Sequence, residues 1–283
     1  MNGTRRTLNV PRPFLKWVGG KGQLLGPLLQ QVERAGEFGR YHEPFAGGGA
    51  LFFELFRTNR LGRKRAFLSD TNARLIDAFL AVQEDVDRVI VLLEDHRARH
   101  SEEHYYAVRS KVPADLFERA ARIIYLNRTC YNGLFRENSK GIFNVPFGRY
   151  AKPLICDEVN LRAASAALAH ARVEVRPFES VLSKAQEGDL VYFDPPYDPV
   201  SRTASFTAYE KGGFGREQQE ALAAVASALT EKGVNVILSN SMTPFIRSLY
   251  EGRFTIAEVL ANRHVNSRAD RRGAVSEALI RNF

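Results

Sequence analysis

Short apolar runs alternate with amphipathic stretches at both ends of the chain, and a different pattern fills the middle. Tyr41 to Phe45 and Ala66 to Ser69 read as short buried strands, with a helix on Ala50 to Phe56 between them. Later in the chain, Leu190 to Phe193 and Val234 to Leu238 read as buried parallel strands. An amphipathic helix from Arg216 to Leu229 separates them, which makes a crossover unit. Val173 to Val175 and Phe254 to Val259 are further strands, and Ala278 to Ile280 is expected to supply an antiparallel strand at the sheet edge. From Leu75 to Tyr125 the period is helical, with Val86, Val89, Ile90 and Leu93 apolar and with Pro113 and Pro153 as punctuation. Asn127 to Tyr150 is dense in Asn, Gly and aromatic residues, the composition of a hairpin or ordered loop. The pattern predicts one α/β sheet domain, residues 1–71 and 158–283, interrupted by an insert from Asn72 to Asp157. It shows no internal repeats and no low-complexity tracts.

Composition narrows the class. The chain has 283 residues, 45% apolar and 25% charged, which excludes fibrous and disordered proteins and suffices for a full core. Forty Lys and Arg against 32 Asp and Glu leave a formal charge of +8. Solubility alone could explain such a balance, so its placement matters. Arg57, Arg60, Arg63, Lys64 and Arg65 form one cluster, and Arg263, Arg268, Arg271 and Arg272 a second. A third, Arg128, Arg136, Lys140, Arg149 and Lys152, is interleaved with Tyr131, Phe135, Phe143, Phe147 and Tyr150, as in a nucleic-acid surface where cations meet phosphates and rings stack on bases. Cys130 and Cys156 have the spacing of neither a disulfide framework nor a metal site, so a reducing cytoplasm is the expected home. No signal-peptide core opens the chain, and no run approaches the roughly 18 apolar residues of a membrane span.

Three segments carry chemistry. Glu43-Pro44-Phe45-Ala46-Gly47-Gly48-Gly49 reads as a strand running through a glycine turn into a helix, where a ligand can approach the backbone. Asp70 comes 23 positions after Gly47, about where nucleotide-binding sheets hold a ribose. A hydride-transfer cofactor stays open on these residues, although the G-x-G-x-x-G spacing is absent. Phe14-Leu15-Lys16-Trp17-Val18-Gly19-Gly20-Lys21 is not a phosphate loop, because Leu15 and Gly22 stand where Gly and Ser or Thr are required. The plain alternative for Trp17 there is packing. Asp194-Pro195-Pro196-Tyr197 follows a buried strand, in the crevice where open α/β sheets bind ligands. Its prolines remove backbone donors, so the carbonyls can face a substrate amine, and Tyr197 offers a ring to stack on.

These three motifs, in this order, resemble the Dam family of DNA adenine-N6 methyltransferases in the α arrangement, from Phe14 to about Ile280. Within the insert, Leu126 to Arg136 and Gly141 to Tyr150 are similar to the segment with which GATC-specific members read DNA. The resemblance implies a Rossmann-like S-adenosylmethionine-dependent sheet carrying an inserted helical and hairpin target-recognition domain. It implies S-adenosylmethionine bound by Trp17, Lys21, Phe45, Gly47, Gly49, Asp70 and Asp194, with Asp194, Pro195, Pro196 and Tyr197 catalytic and no metal. DNA contacts carry over to Lys16, Tyr131, Asn132, Arg136, Pro146 and Tyr150, and the basic and polar character of the same segment adds Arg128, Asn144 and Arg149. Double-stranded DNA is the implied partner, with no membrane and no obligate protein partner, in a bacterial or phage cytoplasm at the nucleoid.

The expected chemistry follows from the base. Adenine N6 is a poor nucleophile inside a stack, so the base must be flipped out, at a cost of roughly a few kcal/mol that stacking on Tyr197 offsets. Asp194 and the Pro195 carbonyl are expected to accept from the amino group and direct its lone pair at the methyl carbon, with proton loss after transfer. The rival readings are transfer to another nucleic-acid amine or another DNA sequence within a restriction-modification system, transfer to a protein glutamine, and a DNA-binding module that has lost activity. Asp194 in place of Asn speaks against glutamine, and the intact Asp70, Asp194 and Tyr197 against an inactive module.

Overall fold

The computed structural model describes residues 10–17, 21, 24–138, 141–199, 214–262 and 274–283. Gly19, Gly20, Gly22, Lys140 and the cluster Arg263, Arg268, Arg271 and Arg272 lie outside the described residues. The chain divides into two compact units. One comprises Met1–Gly20, Gly47–Gly62 and Asn72–Val173, and the other Lys21–Ala46, Arg63–Thr71 and Glu174–Phe283.

In chain order the elements are α1 (Leu25–Ala35), β1 (Tyr41–Glu43), α2 (Ala50–Arg57), β2 (Ala66–Asp70), α3 (Ala73–Glu84), α4 (Val86–Ala98), α5 (Glu102–Ser110) and α6 (Leu116–Thr129). Then come α7 (Glu158–Leu168), β3 (Ala171–Val175), β4 (Leu190–Phe193), α8 (Arg216–Glu231), β5 (Asn235–Ser241), α9 (Pro244–Tyr250), β6 (Thr255–Asn262) and β7 (Ala274–Arg281). The strands form a seven-stranded sheet in the order β3-β2-β1-β4-β5-β7-β6. β1 runs parallel to β2 and β4, and β4 parallel to β5. Every residue of β1 and β4 is buried, as expected of parallel strands covered on both faces. The order reverses between β1 and β4, so the crevice beyond their carboxyl ends is the switch point where such sheets take ligands.

One expectation fails. Ala278 to Ile280 does lie in an antiparallel strand, but β7 is not at the edge, since it pairs with β5 on one side and β6 on the other. Ala278, Leu279 and Ile280 are all buried, so both faces of β7 are covered. β6 takes the edge instead, with Leu260 73% exposed. In the sheet unit α8 presents Leu222, Val225, Ala226 and Leu229 to Val236 and Leu238 of β5 and Val191 and Phe193 of β4.

The other unit is mainly helical. Asn72 caps α3 by accepting from the Arg74 and Leu75 amides at 3.1 and 3.3 Å, and Asp115 caps α6 through the Glu118 amide at 3.0 Å. α6 packs against α3, α4 and α5, and α3 against α7. Phe14, Phe53 and Phe79 form an aromatic knot in its core, with centroids 5.2 to 6.4 Å apart. After α6 the chain makes a 3-10 turn at Tyr131–Gly133 and returns as a loose hairpin, tied by the antiparallel bridges Cys130↔Phe147 and Glu137↔Phe143.

Candidate active site

Asp194 stands at the carboxyl end of β4. Its Oδ1 accepts from Lys21 Nζ at 2.8 Å and from the Ser239 hydroxyl at 2.7 Å, and its side chain is 20% exposed. Burial pushes the Asp194 carboxyl above its usual range, while the Lys21 ammonium and the Ser239 hydroxyl pull it back. Lys21 is itself buried, and its Nζ lies 4.1 Å from the centre of the Tyr197 ring. The Tyr197 hydroxyl donates to Glu277 Oε2 at 2.8 Å. Burial, with the Asp194 and Glu277 carboxylates beside it, holds the phenol far above its ordinary value, so it stays a donor. Pro195 is buried and Pro196 exposed. The Pro196 carbonyl accepts from Gln219 Nε2 at 2.9 Å, so it is not the unpartnered acceptor expected of the double proline.

Two more predicted residues lie in the same unit. Phe45, just past β1, is half-buried, stacked on Phe178 at 5.3 Å and edge-on to Phe193 and Phe214 at 6.3 and 5.5 Å. Asp70 ends β2, and its main-chain carbonyl accepts from the Arg176 amide at 3.1 Å.

In the helical unit Gly47 and Gly49 adopt φ of 47° and 69°, a conformation that costs a side chain dearly, and Gly49 opens α2. A Cβ on Gly48 would lie 3.5 Å from that of Trp17, so the segment Pro13–Trp17 runs beside the glycine turn. Trp17 packs on Phe135 at 5.0 Å. Asn127, 1% exposed, clamps Lys16 through both main-chain groups, accepting from its amide at 2.7 Å and donating to its carbonyl at 2.8 Å. The same nitrogen donates to Gly133 O at 3.3 Å. The Lys16 ammonium lies 5.5 Å from the Tyr150 ring centre.

Tyr131, Asn132, Arg136, Pro146, Arg149 and Tyr150 are all exposed in the returning hairpin, and Asn132 has a φ of 55°. Arg136 Nε donates to Asn144 Oδ1 at 2.9 Å. Arg128 stands apart from this group: it is half-buried, it donates to Phe14 O at 2.8 Å, and it holds the amino-terminal segment. The hairpin is anchored to α3 and α5. Tyr105 Oη and Arg109 Nη1 both donate to Val145 O, at 2.9 and 3.0 Å. Arg74 donates to Gly141 O at 2.6 Å and pairs with Glu137. His96 and His104 share a hydrogen bond of 3.0 Å beside Tyr125, whose hydroxyl meets His100 Nδ1 at 2.9 Å. The first basic cluster is partly paired, Arg57 with Glu54 at 2.7 Å and Lys64 with Glu37 at 3.0 Å.

Residues 17–265 match the model of the D12 class N6 adenine-specific DNA methyltransferases. The chain belongs to that family. It is 39% identical over 280 residues to the type II methyltransferase M1.LlaDCHI of Lactococcus lactis subsp. cremoris, covering 96% of this chain and 95% of that one. It is 40% identical over 289 residues to the type II methyltransferase M.MjaIII of Methanocaldococcus jannaschii, with 96% and 99% covered. With the DNA adenine methylase of Escherichia coli K12 it shares 36% identity over 272 residues, with 95% and 94% covered. The chain is therefore a DNA adenine methyltransferase of Rossmann-like α/β fold that uses a methyl-donor cofactor, and its sheet is the mixed seven-stranded one described above. No helix among the described residues is long and apolar enough to cross a membrane.

Sequence reasoning missed Ser239, Asn240, Gln219 and Glu277, the groups that surround the Asp194–Asp198 turn of this methyltransferase. A signal was present. The apolar run of β5 ends at Leu238, and the polar triplet Ser239-Asn240-Ser241 that continues it is buried at 0%, 0% and 1% exposure. Polar residues in buried register at the carboxyl end of a central strand mark a site.

Proposed function

We propose that this methyltransferase transfers a methyl group from S-adenosylmethionine to the N6 of an adenine flipped out of duplex DNA, within GATC. The observation that carries the reading is the end of β4. There a carboxylate held by Lys21 and Ser239 adjoins an aromatic ring fixed through its hydroxyl. An exocyclic amine that donates to Asp194 would lie over Tyr197, and a base can reach such a pocket only by leaving its stack.

The residues present fit the cofactor. The Phe45 ring is a half-buried shelf, and Asp70 ends the neighbouring strand as a ribose-binding acid does. The cofactor supplies an electrophilic methyl carbon on a sulfonium. Asp194 accepts a proton of the amino group in a hydrogen bond, orients the nitrogen lone pair, and stabilises the positive charge that develops on N6. The buried surroundings of Asp194 strengthen that stabilisation. As the N6–carbon bond forms, the carbon–sulfur bond would break and leave sulfur as a neutral thioether, and the cationic nitrogen would then lose its proton to water.

Residues 72–157 form the target-reading domain in this proposal, and residues 1–71 with 158–283 the catalytic one. Support comes from the exposed Tyr131, Asn132, Arg136, Arg149 and Tyr150, presented on a hairpin whose backbone is anchored by Tyr105, Arg109 and Arg74. Arg136 is the guanine reader, since its fork matches O6 and N7 in the major groove. Sequencing the methylation of a host that lacks adenine methylation and expresses this chain tests the reading. N6-methyladenine confined to GATC is the expected result. Modification at another sequence overturns the GATC assignment, and absence of modified adenine from a folded, cofactor-binding protein overturns the whole.

A further inference from the structure

The turn Asp194–Asp198 is held by side chains at four of its five residues. Besides Ser239 on Asp194 and Glu277 on Tyr197, Gln219 Nε2 donates to Pro196 O at 2.9 Å, and Asn240 Oδ1 accepts from the Asp198 amide at 3.0 Å. Thr243 Oγ1 adds a bond of 2.6 Å to the Asp198 carboxylate. Gln219 and Asn240 are joined to each other, Asn240 Nδ2 donating to Gln219 Oε1 at 3.0 Å, and their exposures are 1% and 0%.

The direction of this relay is dictated by its ends. A carbonyl can only accept, and an amide N–H can only donate. Gln219 must therefore turn its nitrogen to Pro196 and its oxygen to Asn240. Asn240 must turn its nitrogen to Gln219, which leaves its oxygen for the Asp198 amide and for the Ser241 amide at 2.8 Å. Neither side chain can flip without setting two acceptors or two donors against each other in a buried site, where each such fault costs about 1–3 kcal/mol.

We propose that Gln219 and Asn240 are positioning residues for methyl transfer, a directional brace that occupies the Pro196 carbonyl and so assigns the substrate amine to the Asp194 carboxylate and the Pro195 carbonyl. The inference rests on the reading that Asp194–Tyr197 carries the reaction. The brace acts on the backbone of the turn. It sets the path of the turn, and a displacement on the order of 1 Å at a reacting group costs about 100-fold in rate.

Gln219→Glu tests the direction. The glutamic acid is isosteric, but it can donate to Pro196 O only when protonated. Ionised, it sets an oxygen against the carbonyl, and burial raises its pKa towards neutrality. Single-turnover methyl transfer to GATC duplex at saturating S-adenosylmethionine, measured from about pH 6 to about pH 8.5 beside the native enzyme and Asp194→Ala, reads the effect. The expected rate of Gln219→Glu is roughly 10- to 100-fold below native at the alkaline end and rises towards native as pH falls, with the KM for DNA within about threefold of native. A ratio to native that is flat across pH, or a loss confined to KM, overturns the brace. If Gln219→Glu does not fold, Gln219→Met replaces it. A fall in kcat per folded molecule at unchanged KM then supports the brace, and a native kcat per folded molecule overturns it. Asp194→Ala separates the two levels. Native activity in that variant removes the underlying reading, whereas an inactive Asp194→Ala beside a native, pH-flat Gln219→Glu removes the brace alone.

Discussion

Replacing Asn127 by Ala probes the joint between the amino-terminal segment and the hairpin that follows α6. Asn127 makes three hydrogen bonds to main-chain groups, two to Lys16 at 2.7 and 2.8 Å and a longer one to Gly133 at 3.3 Å. The variant leaves an amide and two carbonyls without these partners. A buried polar group left unsatisfied costs about 1–3 kcal/mol. Lys16 is exposed as a whole, so water can reach part of the gap, and the Gly133 bond is long. About 2–4 kcal/mol is the resulting estimate for the three together. The chain has a single Trp, Trp17, one residue from the clamp and packed on Phe135, so its fluorescence reports this joint. With an m-value of about 3 kcal/mol/M, the urea midpoint should fall by about 0.7–1.3 M. Methylation by the folded variant should fall too, because Lys16 and the Tyr131–Gly133 turn lose their common anchor. A midpoint shift below about 0.3 M, which is about 1 kcal/mol, would refute the clamp as an energetic joint.

Other outcomes follow from single contacts. Lys21→Met removes the ammonium that pulls the Asp194 carboxyl down, so the acid limb of kcat/KM should move to higher pH; an unchanged limb would show that Lys21 does not keep Asp194 ionised. Gly148→Ala places a Cβ 2.5 Å from the Cys130 carbonyl oxygen, a backbone clash that should destabilise by about 1–3 kcal/mol, and an unaltered melting temperature would contradict the close approach. His96 is held at a pKa of about 4, first by burial and then by the charge on His104. An unfolded His takes its proton near pH 6.5, so the stability due to neutral His96 is complete above that pH and is lost as pH falls through about 6.5 towards 4. The limit is about 3 kcal/mol, reduced to about 1–2 by partial exposure, and the urea midpoint of His96→Phe should fall less than that of the native protein between pH 7 and pH 5.

Strong local patterns were legible in the sequence. β4 is an apolar run in a fully covered strand, and α8 is amphipathic, so each announces itself within a few residues. Asp194-Pro195-Pro196-Tyr197 was legible because chemistry and strand end coincide in four consecutive residues. What escaped was long-range. Glu277 meets Tyr197 across 80 residues, and nothing near Glu277 distinguishes it from a surface acid. The interior place of β7 depends on which strands it pairs with, which periodicity within Ala278–Ile280 cannot reveal. On charge alone Arg128 groups with its exposed neighbours. Its spacing on α6 turns it inward to Phe14 O, a distinction of helix face rather than of composition.

The place of β7 also bears on the order in which the protein can be completed. A ribosome releases β5 and β6 before it releases the strand that separates them, so β5 cannot acquire its final neighbour, nor β6 any neighbour at all, until the last residues of β7 emerge. That strand also brings Glu277, and with it the hydroxyl anchor of Tyr197. A nascent chain stopped before Ala274 has Asp194 and both prolines but an untethered Tyr197, so assembly of the sheet and completion of the candidate active site are the same late event.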